Sequence, residues 1–282
     1  APSKAAKYGA KATLIRSIGS WSMNTPHTGT MGEYTYHKKI PHAAITSEDA
    51  MMISRISKRG QKVVLKLNMD GKFVEDRWSR NIIAELKGST YPEEIIVVGG
   101  HIDSWDVGQG AHDDAGGCVA AWRAVTLIKE LGLKPRRTIR IVLWTNEENG
   151  GKGNENYKNE HLSELNNHIL AIESDGGVFA PQGFGFTGSE KARDYILDIA
   201  SLLDPIGAGT ITNWGRAADV APLNDNGVPV MSLNVDNSKY FWYHHTNADT
   251  FDKIDFREFN NCIAAMAIMS YVVSDMEKKL PR

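Results

Sequence analysis

The sequence predicts an α/β protein: a mixed, mostly parallel sheet with helices on both faces, accompanied by part of a smaller domain. Three observations carry this. From about residue 81 onward, short β-rich runs alternate with helical patterns, the order expected of strands linked by crossover helices. Residues 138–144 form an almost unbroken apolar run (Ile139, Ile141, Val142, Leu143), typical of a strand buried on both faces. The chain closes on an amphipathic helix opened by Asp255, with Glu258 in the capping-box position.

In chain order, residues 5–15 read as a helix running into a strand, 19–41 as a polar loop, 47–58 as a helix capped by Ser47, and 62–67 as a strand. Asp70-Gly71 and dense charge make 69–79 the expected junction, dividing the chain into a small unit over 1–72 and a main domain over 73–282. Residues 81–86 and 94–99 read as strands joined in a hairpin by the turn residues at 88–92. A helix over 114–131 stops at Gly132, with Pro135 soon after. Beyond the strand at 138–144 come a helix at 154–165, a strand at 168–172, a helix at 189–203 and strands at 210–214 and 228–233. In the last helix Phe256, Phe259, Ile263, Met266, Val273 and Met276 line one face, a core stripe rather than a cofactor site.

Composition excludes several function classes. The chain has 282 residues, 41% of them hydrophobic, enough to build a full core. A net charge of −2, from 32 basic and 34 acidic residues, argues against a nucleic-acid or polyanion partner. The longest apolar stretch, residues 262–273, is interrupted by Ser270 and falls short of the ~20 residues that span a bilayer. Two cysteines rule out a disulfide-dense scaffold and a thiolate zinc module. Residues 1–20 show no signal-peptide core, as expected of a processed or partial chain.

In open α/β sheets, ligands bind outside the carboxyl ends of the strands, and here those ends are acidic. One strand runs into His101-Ile102-Asp103, another into Glu147-Glu148, and a third into Asp175-Gly176-Gly177. Asp113-Asp114 opens a helix, and a late loop carries His244-His245 ahead of Asp249-Thr250. Each fragment alone has an ordinary reading: a hydrogen-bonded pair, a helix cap, a solvated loop, a turn. Gathered at one edge, however, the carboxylates would repel one another unless a cation joined them. Imidazole and carboxylate without thiolate are donors for Zn²⁺ or a similar metal. Such a set suits two ions sharing a carboxylate, about 3.5–4 Å apart. Adjacent glutamates then divide into one ligand and one general base.

This ordered pattern resembles the M28 family of zinc peptidases. The likeness extends from Gly100 through Ser104-Trp105-Asp106 to Asp114, and through Leu143-Trp144-Thr145-Asn146, 186–193, 240–250 and 271–277. The resemblance implies that His101 and Asp175 hold one zinc, Glu148 and His245 the other, and Asp113 bridges them, usually with a cis peptide to Asp114. It implies that Asp103 orients His101 through a carboxylate–imidazole bond. Glu147 would deprotonate the bridging water and later deliver the proton to the leaving amine. His245 sits in the His-Thr-x-x-Asp-Thr ligand register; His244 takes a place where relatives carry an oxyanion-contacting Tyr, so a donor role and simple packing both stay open. Asp249-Thr250 are expected to fix loop geometry, and Cys118 to be a small buried residue rather than a nucleophile.

Residues 1–70, through Lys4-Ala5-Ala6-Lys7 and Pro26-His27-Thr28-Gly29, resemble the later part of the protease-associated domain that this branch inserts; a further N-terminal segment of full members is not matched. The implied activity is that of a dinuclear zinc exopeptidase on small peptides, chiefly dipeptides with free termini, in a secreted or lumenal setting and often as a homodimer. The rival readings are a non-catalytic binding protein on a peptidase-like scaffold and a one-zinc glutaminyl cyclase-like enzyme. No Gly-x-Ser-x-Gly elbow supports a serine hydrolase.

Overall fold

A computed structural model of the chain describes residues 2–19, 22–30, 39–72 and 74–282. The chain enters through α1 (Pro2–Lys7), β1 (Thr13–Arg16), β2 (His42–Ile45) and α2 (Ser47–Lys58), with β1 and β2 paired in parallel. The polar loop expected at 19–41 lies partly outside the described residues. The cap of α2 is Thr46 rather than Ser47: extended at ψ 156°, its hydroxyl accepts the Asp49 N–H. Residues 62–67 form no strand. Val64 is 76% exposed there, and β-rich composition without a pairing neighbour does not hold a strand.

The main sheet is built from β3 (Ile82–Leu86), β4 (Tyr91–His101), β5 (Arg137–Trp144), β6 (His168–Glu173), β7 (Pro181–Thr187), β8 (Thr210–Thr212) and β9 (Val230–Val235). Interleaved are α3 (Gly116–Glu130), α4 (Lys152–Glu160), α5 (Glu190–Ala200), the short α6 (Ala221–Asn224) and α7 (Tyr240–Tyr243), and the terminal α8 (Phe256–Asp275). The strand order is β3-β5-β4-β6-β9-β7-β8. Neighbouring strands from β5 to β9 are parallel, β7 runs antiparallel to β9, and β3 antiparallel to β5. The sheet is mixed and mostly parallel, as expected.

The hairpin expected between residues 81–86 and 94–99 is not formed. β5 inserts between β3 and β4, and the connection crosses the end of β5, where the N–H groups of Ser89 and Tyr91 donate to the carbonyls of Pro135 (2.9 Å) and Arg136 (2.8 Å). The reason is burial: residues 95–98 of β4 are almost fully enclosed, so both backbone edges must be paired inside the sheet.

Period-two alternation sorts the strands between two cores. Ile96, Val98, Ile139 and Leu170 face a cluster completed by Ala121 and Val125 of α3, Ile196 of α5, and Met266 and Val273 of α8. Ile95, Val97, Val142 and Trp144 face the other side, with Tyr157 of α4 and Leu223 of α6. Asp255 caps α8 by accepting the N–H groups of Arg257 and Glu258. Phe256, expected on the core stripe, is instead 60% exposed and meets Phe251 edge-on: it occupies the first turn, before the helix reaches the sheet. Among the described residues, no helix is long and apolar enough to cross a membrane.

Candidate metal centre

Four parallel strands deliver their carboxyl ends to one edge. β4 ends on His101 itself, β5 leads into Glu147 and Glu148, β6 into Asp175, and β9 through α7 into His244 and His245. Asp113 arrives from the turn before α3, joined to Asp114 by a cis peptide. The Asp249 carboxylate pins this turn by accepting the N–H groups of His112 (2.8 Å) and Asp113 (3.1 Å).

Asp114 turns the other way. Its carboxylate accepts the N–H groups of His101 (3.0 Å) and Gly117 (3.1 Å). A Cβ on Gly100 would stand 2.1 Å from Asp114 Oδ2, and one on Gly117 would stand 1.9 Å from the Ser174 carbonyl, so this packing requires glycine at both positions.

The Asp113 carboxylate lies between two imidazoles. Its Oδ1 is 3.2 Å from His101 Nε2, and its Oδ2 is 3.3 Å from His245 Nε2. Asp175 Oδ1 joins the His101 side at 3.2 Å, and Glu148 Oε2 the His245 side at 2.9 Å. His244 stacks on His245 (3.6 Å between centroids, 17°) and puts Nε2 3.5 Å from Asp113 Oδ2. Donor atoms of His101, Asp113 and Asp175, and those of Asp113, His244 and His245, form two groups each within 4.8 Å.

The tautomers show what the centre fits. Nδ1 of His101 meets the Asp103 carbonyl at 2.7 Å, and Nδ1 of His245 the Thr28 carbonyl at 3.3 Å. A carbonyl only accepts, so each Nδ1 carries a proton; when the ring is neutral, its Nε2 lone pair turns onto carboxylate oxygens, and without a cation a second proton on Nε2 fills that gap. With both rings neutral, acceptor faces acceptor on both sides of Asp113. Asp113 Oδ2 and Glu148 Oε1 are buried without a hydrogen-bond partner. A divalent cation satisfies all these lone pairs together, so the donor set fits a metal.

Without a cation the charges distort one another. Burial disfavours charge on His101, but its bonds to Asp113 and Asp175 outweigh that and raise its pKa strongly. Burial, reinforced by the charge of Asp175, lifts Glu147 to about 7. Burial raises Asp175, and it lowers His244 to about 4. Glu147 lines a cleft of about 250 Å³ with Asp113, Glu148, Asp175, Tyr240 and His244.

One expected contact differs. The Asp103 carboxylate does not bond the His101 ring; Oδ1 is 4.0 Å away, and the Asp103 main-chain carbonyl makes the bond instead. The carboxylate is turned aside because it accepts the N–H groups of Glu147 and Glu148. Cys118 is buried, and its thiol donates to the His101 carbonyl. Sequence reading passed over Tyr240, whose hydroxyl donates to the Asp175 carbonyl at 3.4 Å. It also passed over Asp219, buried behind the edge and held by Asn154 Nδ2 at 3.2 Å. No local pattern marks either residue.

Fold and site together define an α/β protein with a candidate divalent-metal centre on the carboxyl edge of its sheet. A family model described as Peptidase family M28 matches residues 81–270, and the chain belongs to that family. It is 48% identical over 279 residues to carboxypeptidase Q of Homo sapiens and 46% to that of Mus musculus. Each match takes in 99% of this chain and 59% of the relative, so the chain spans about three-fifths of these relatives' length. The crystal structure of a Peptidase M28 precursor from Shewanella amazonensis SB2B superposes with a TM-score of 0.95 at 37% identity, covering 100% of this chain and 64% of that one. BSAP, a zinc aminopeptidase from Bacillus subtilis, shares the fold at a TM-score of 0.67 and 20% identity, over 98% of this chain and 67% of that one.

Proposed function

We propose that this chain is the catalytic part of a dinuclear zinc exopeptidase that hydrolyses small peptides, chiefly dipeptides with free termini. The observation that carries the reading is the single Asp113 carboxylate set between two imidazole Nε2 atoms, Oδ1 toward His101 and Oδ2 toward His245. Membership of the M28 family and the resemblance to carboxypeptidase Q support the reaction class. The proposal extends to a catalytic domain over 73–282 beside a protease-associated-like unit over 1–72, and to a secreted or lumenal protein able to pair as a homodimer.

In this reading His101 and Asp175 hold one zinc, Glu148 and His245 the other, with Asp113 shared. Bound zinc supplies Lewis acidity toward the scissile carbonyl and its developing negative charge. Glu147 shares the cleft with the ligands yet bonds none of their rings, which suits a proton carrier. Its carboxylate takes a proton from the attacking water and returns it to the departing amine nitrogen. Asp103 fixes the main chain on which Glu147 stands. His244, neutral because burial depresses its pKa, stacks on His245 and offers a hydrogen bond at the cleft wall.

Zinc content and dipeptide hydrolysis, measured on the wild type and on Glu147→Gln, test the reading. Two zincs per chain in both proteins, with turnover lost only in the variant, is the expected result. Undiminished turnover in the variant removes Glu147 from the reaction, and a wild type that takes up no zinc removes the enzyme reading.

A further inference from the structure

The two metal-facing histidines are oriented from very different places. His101 is held by the Asp103 carbonyl, two residues along the same loop. His245 is held by the Thr28 carbonyl, 217 residues away in sequence, on a segment of the N-terminal unit that carries β1, β2 and α2. That contact is doubled: the Thr28 N–H donates to the His245 carbonyl at 2.8 Å, while the His245 Nδ1–H donates back to the Thr28 carbonyl at 3.3 Å. His245 needs such a hold. Its φ is +57°, in the left-handed region, which costs a non-glycine residue about 1–3 kcal/mol and persists only when neighbours over-determine it.

His27 anchors the segment. Its N–H donates to Ser17 Oγ at 3.0 Å, inside the N-terminal unit. Its ring reaches the other way: Nε2 meets the Phe241 carbonyl at 2.9 Å, in α7, directly before His244-His245. His27 is only 9% exposed, and its Nδ1 is buried without a partner, as expected of a ring whose proton sits on Nε2. His27 and Thr28 therefore clamp the His244-His245 turn at main chain and ring together.

We propose that His27 and the Thr28 carbonyl are positioning groups for the metal centre: they fix the Nδ1–H tautomer and ring direction of His245, so the N-terminal unit sets zinc affinity on the Glu148–His245 side of Asp113. The proposal rests on the zinc reading above. Its specific consequence is asymmetry. Loosening the clamp weakens one metal position and spares the other, because His101 takes its orientation from its own loop.

The test is a zinc titration against a competing chelator, comparing wild type, His27→Leu and His27→Gln. Leucine fills the space and removes the donor; the glutamine amide can still donate to the Phe241 carbonyl. The expected result is a loss of affinity of up to ~10–100-fold at one of two zinc positions in His27→Leu, the range for disturbing the hydrogen-bond partner of a metal-ligating histidine, here the Thr28 carbonyl that His27 anchors. The second position stays unchanged, and His27→Gln recovers most of the loss. A side chain serving packing alone would weaken both positions or neither, and glutamine would not rescue it. If His27→Leu does not fold, ¹⁵N-histidine NMR of the zinc-loaded wild type decides, with the His245 signals assigned through His245→Gln: Nε2 metal-bound with a proton on Nδ1 supports the clamp, and ligation through Nδ1 overturns it. Wild type binding two zincs while His27→Leu binds both equally tightly overturns the proposal and leaves the zinc reading standing. A wild type binding no zinc fails the zinc reading itself.

Discussion

The carboxylate of Asp103 holds the main chain of Glu147: the Glu147 N–H donates to Asp103 Oδ1 at 3.1 Å, and the next N–H, that of Glu148, donates to Oδ2 at 3.3 Å. One side chain thus fixes the backbone of both adjacent glutamates. Asp103→Ala removes two charge-assisted bonds, worth roughly 1.5–3 kcal/mol each before relaxation. The expected outcome in a steady-state assay is a kcat lower by about 10–100-fold, because Glu147 and Glu148 both lose their main-chain hold. Asp103→Asn, which keeps one acceptor oxygen, should fall between.

Glu147→Gln keeps shape and removes the proton acceptor. Its kcat/KM should fall by on the order of 10²–10⁴. Zinc content by elemental analysis should stay at the wild-type value, because the proposed reading gives Glu147 the proton and not a metal.

Metal binding and stability should be linked. Only the folded state assembles the Nε2 atoms of His101 and His245 around the Asp113 carboxylate. At free zinc about 1,000-fold above Kd, each site should stabilise the fold by ~4 kcal/mol. A rise in Tm of about 10 °C per site follows for a chain of this size. Differential scanning calorimetry before and after chelation checks this; an unchanged Tm would show that no metal is held.

Acid should weaken the sheet at His168, away from the site. Its Nδ1–H donates to the Glu164 carbonyl and its bare Nε2 accepts the Tyr157 hydroxyl at 2.9 Å; Tyr157 in turn receives Arg140 at 2.9 Å. Burial lowers the His168 pKa from 6.5 to about 4. The unfolded chain therefore binds this proton more readily than the folded one. Stability from this group is whole above pH 6.5 and is lost as pH falls toward 4, by roughly 3 kcal/mol in all. Urea unfolding at pH 7 and pH 4.5 should show the loss, and His168→Gln should reduce its slope.

Much of the site was legible because its chemistry sits at strand ends. An apolar run followed at once by acidic or imidazole residues marks the carboxyl edge of a parallel sheet, and His101, Glu147, Glu148 and Asp175 all carry that mark. Asp113 and His245 were legible from the ordered motif. Residues 62–67 show the limit: their composition suits a strand, but a strand is a pairing, and β1 and β2 found each other instead. The hairpin expected from 81–86 into 94–99 failed for the same reason, since adjacency in sequence favours pairing but β4 needed parallel partners on both edges.

The sequence by itself determined the α/β class, the ends of most helices and strands, and the residue types gathered at the sheet edge. All of these follow from local periodicity, capping and the residue that ends each strand. Only the tertiary structure decided strand order, the outward turn of the Asp103 carboxylate, and which carbonyl holds Nδ1 of His101 and of His245. A tautomer is set by whichever group faces the other nitrogen. For His245 that group is the Thr28 carbonyl, a main-chain atom that every residue type carries, brought from 217 positions away by the fold.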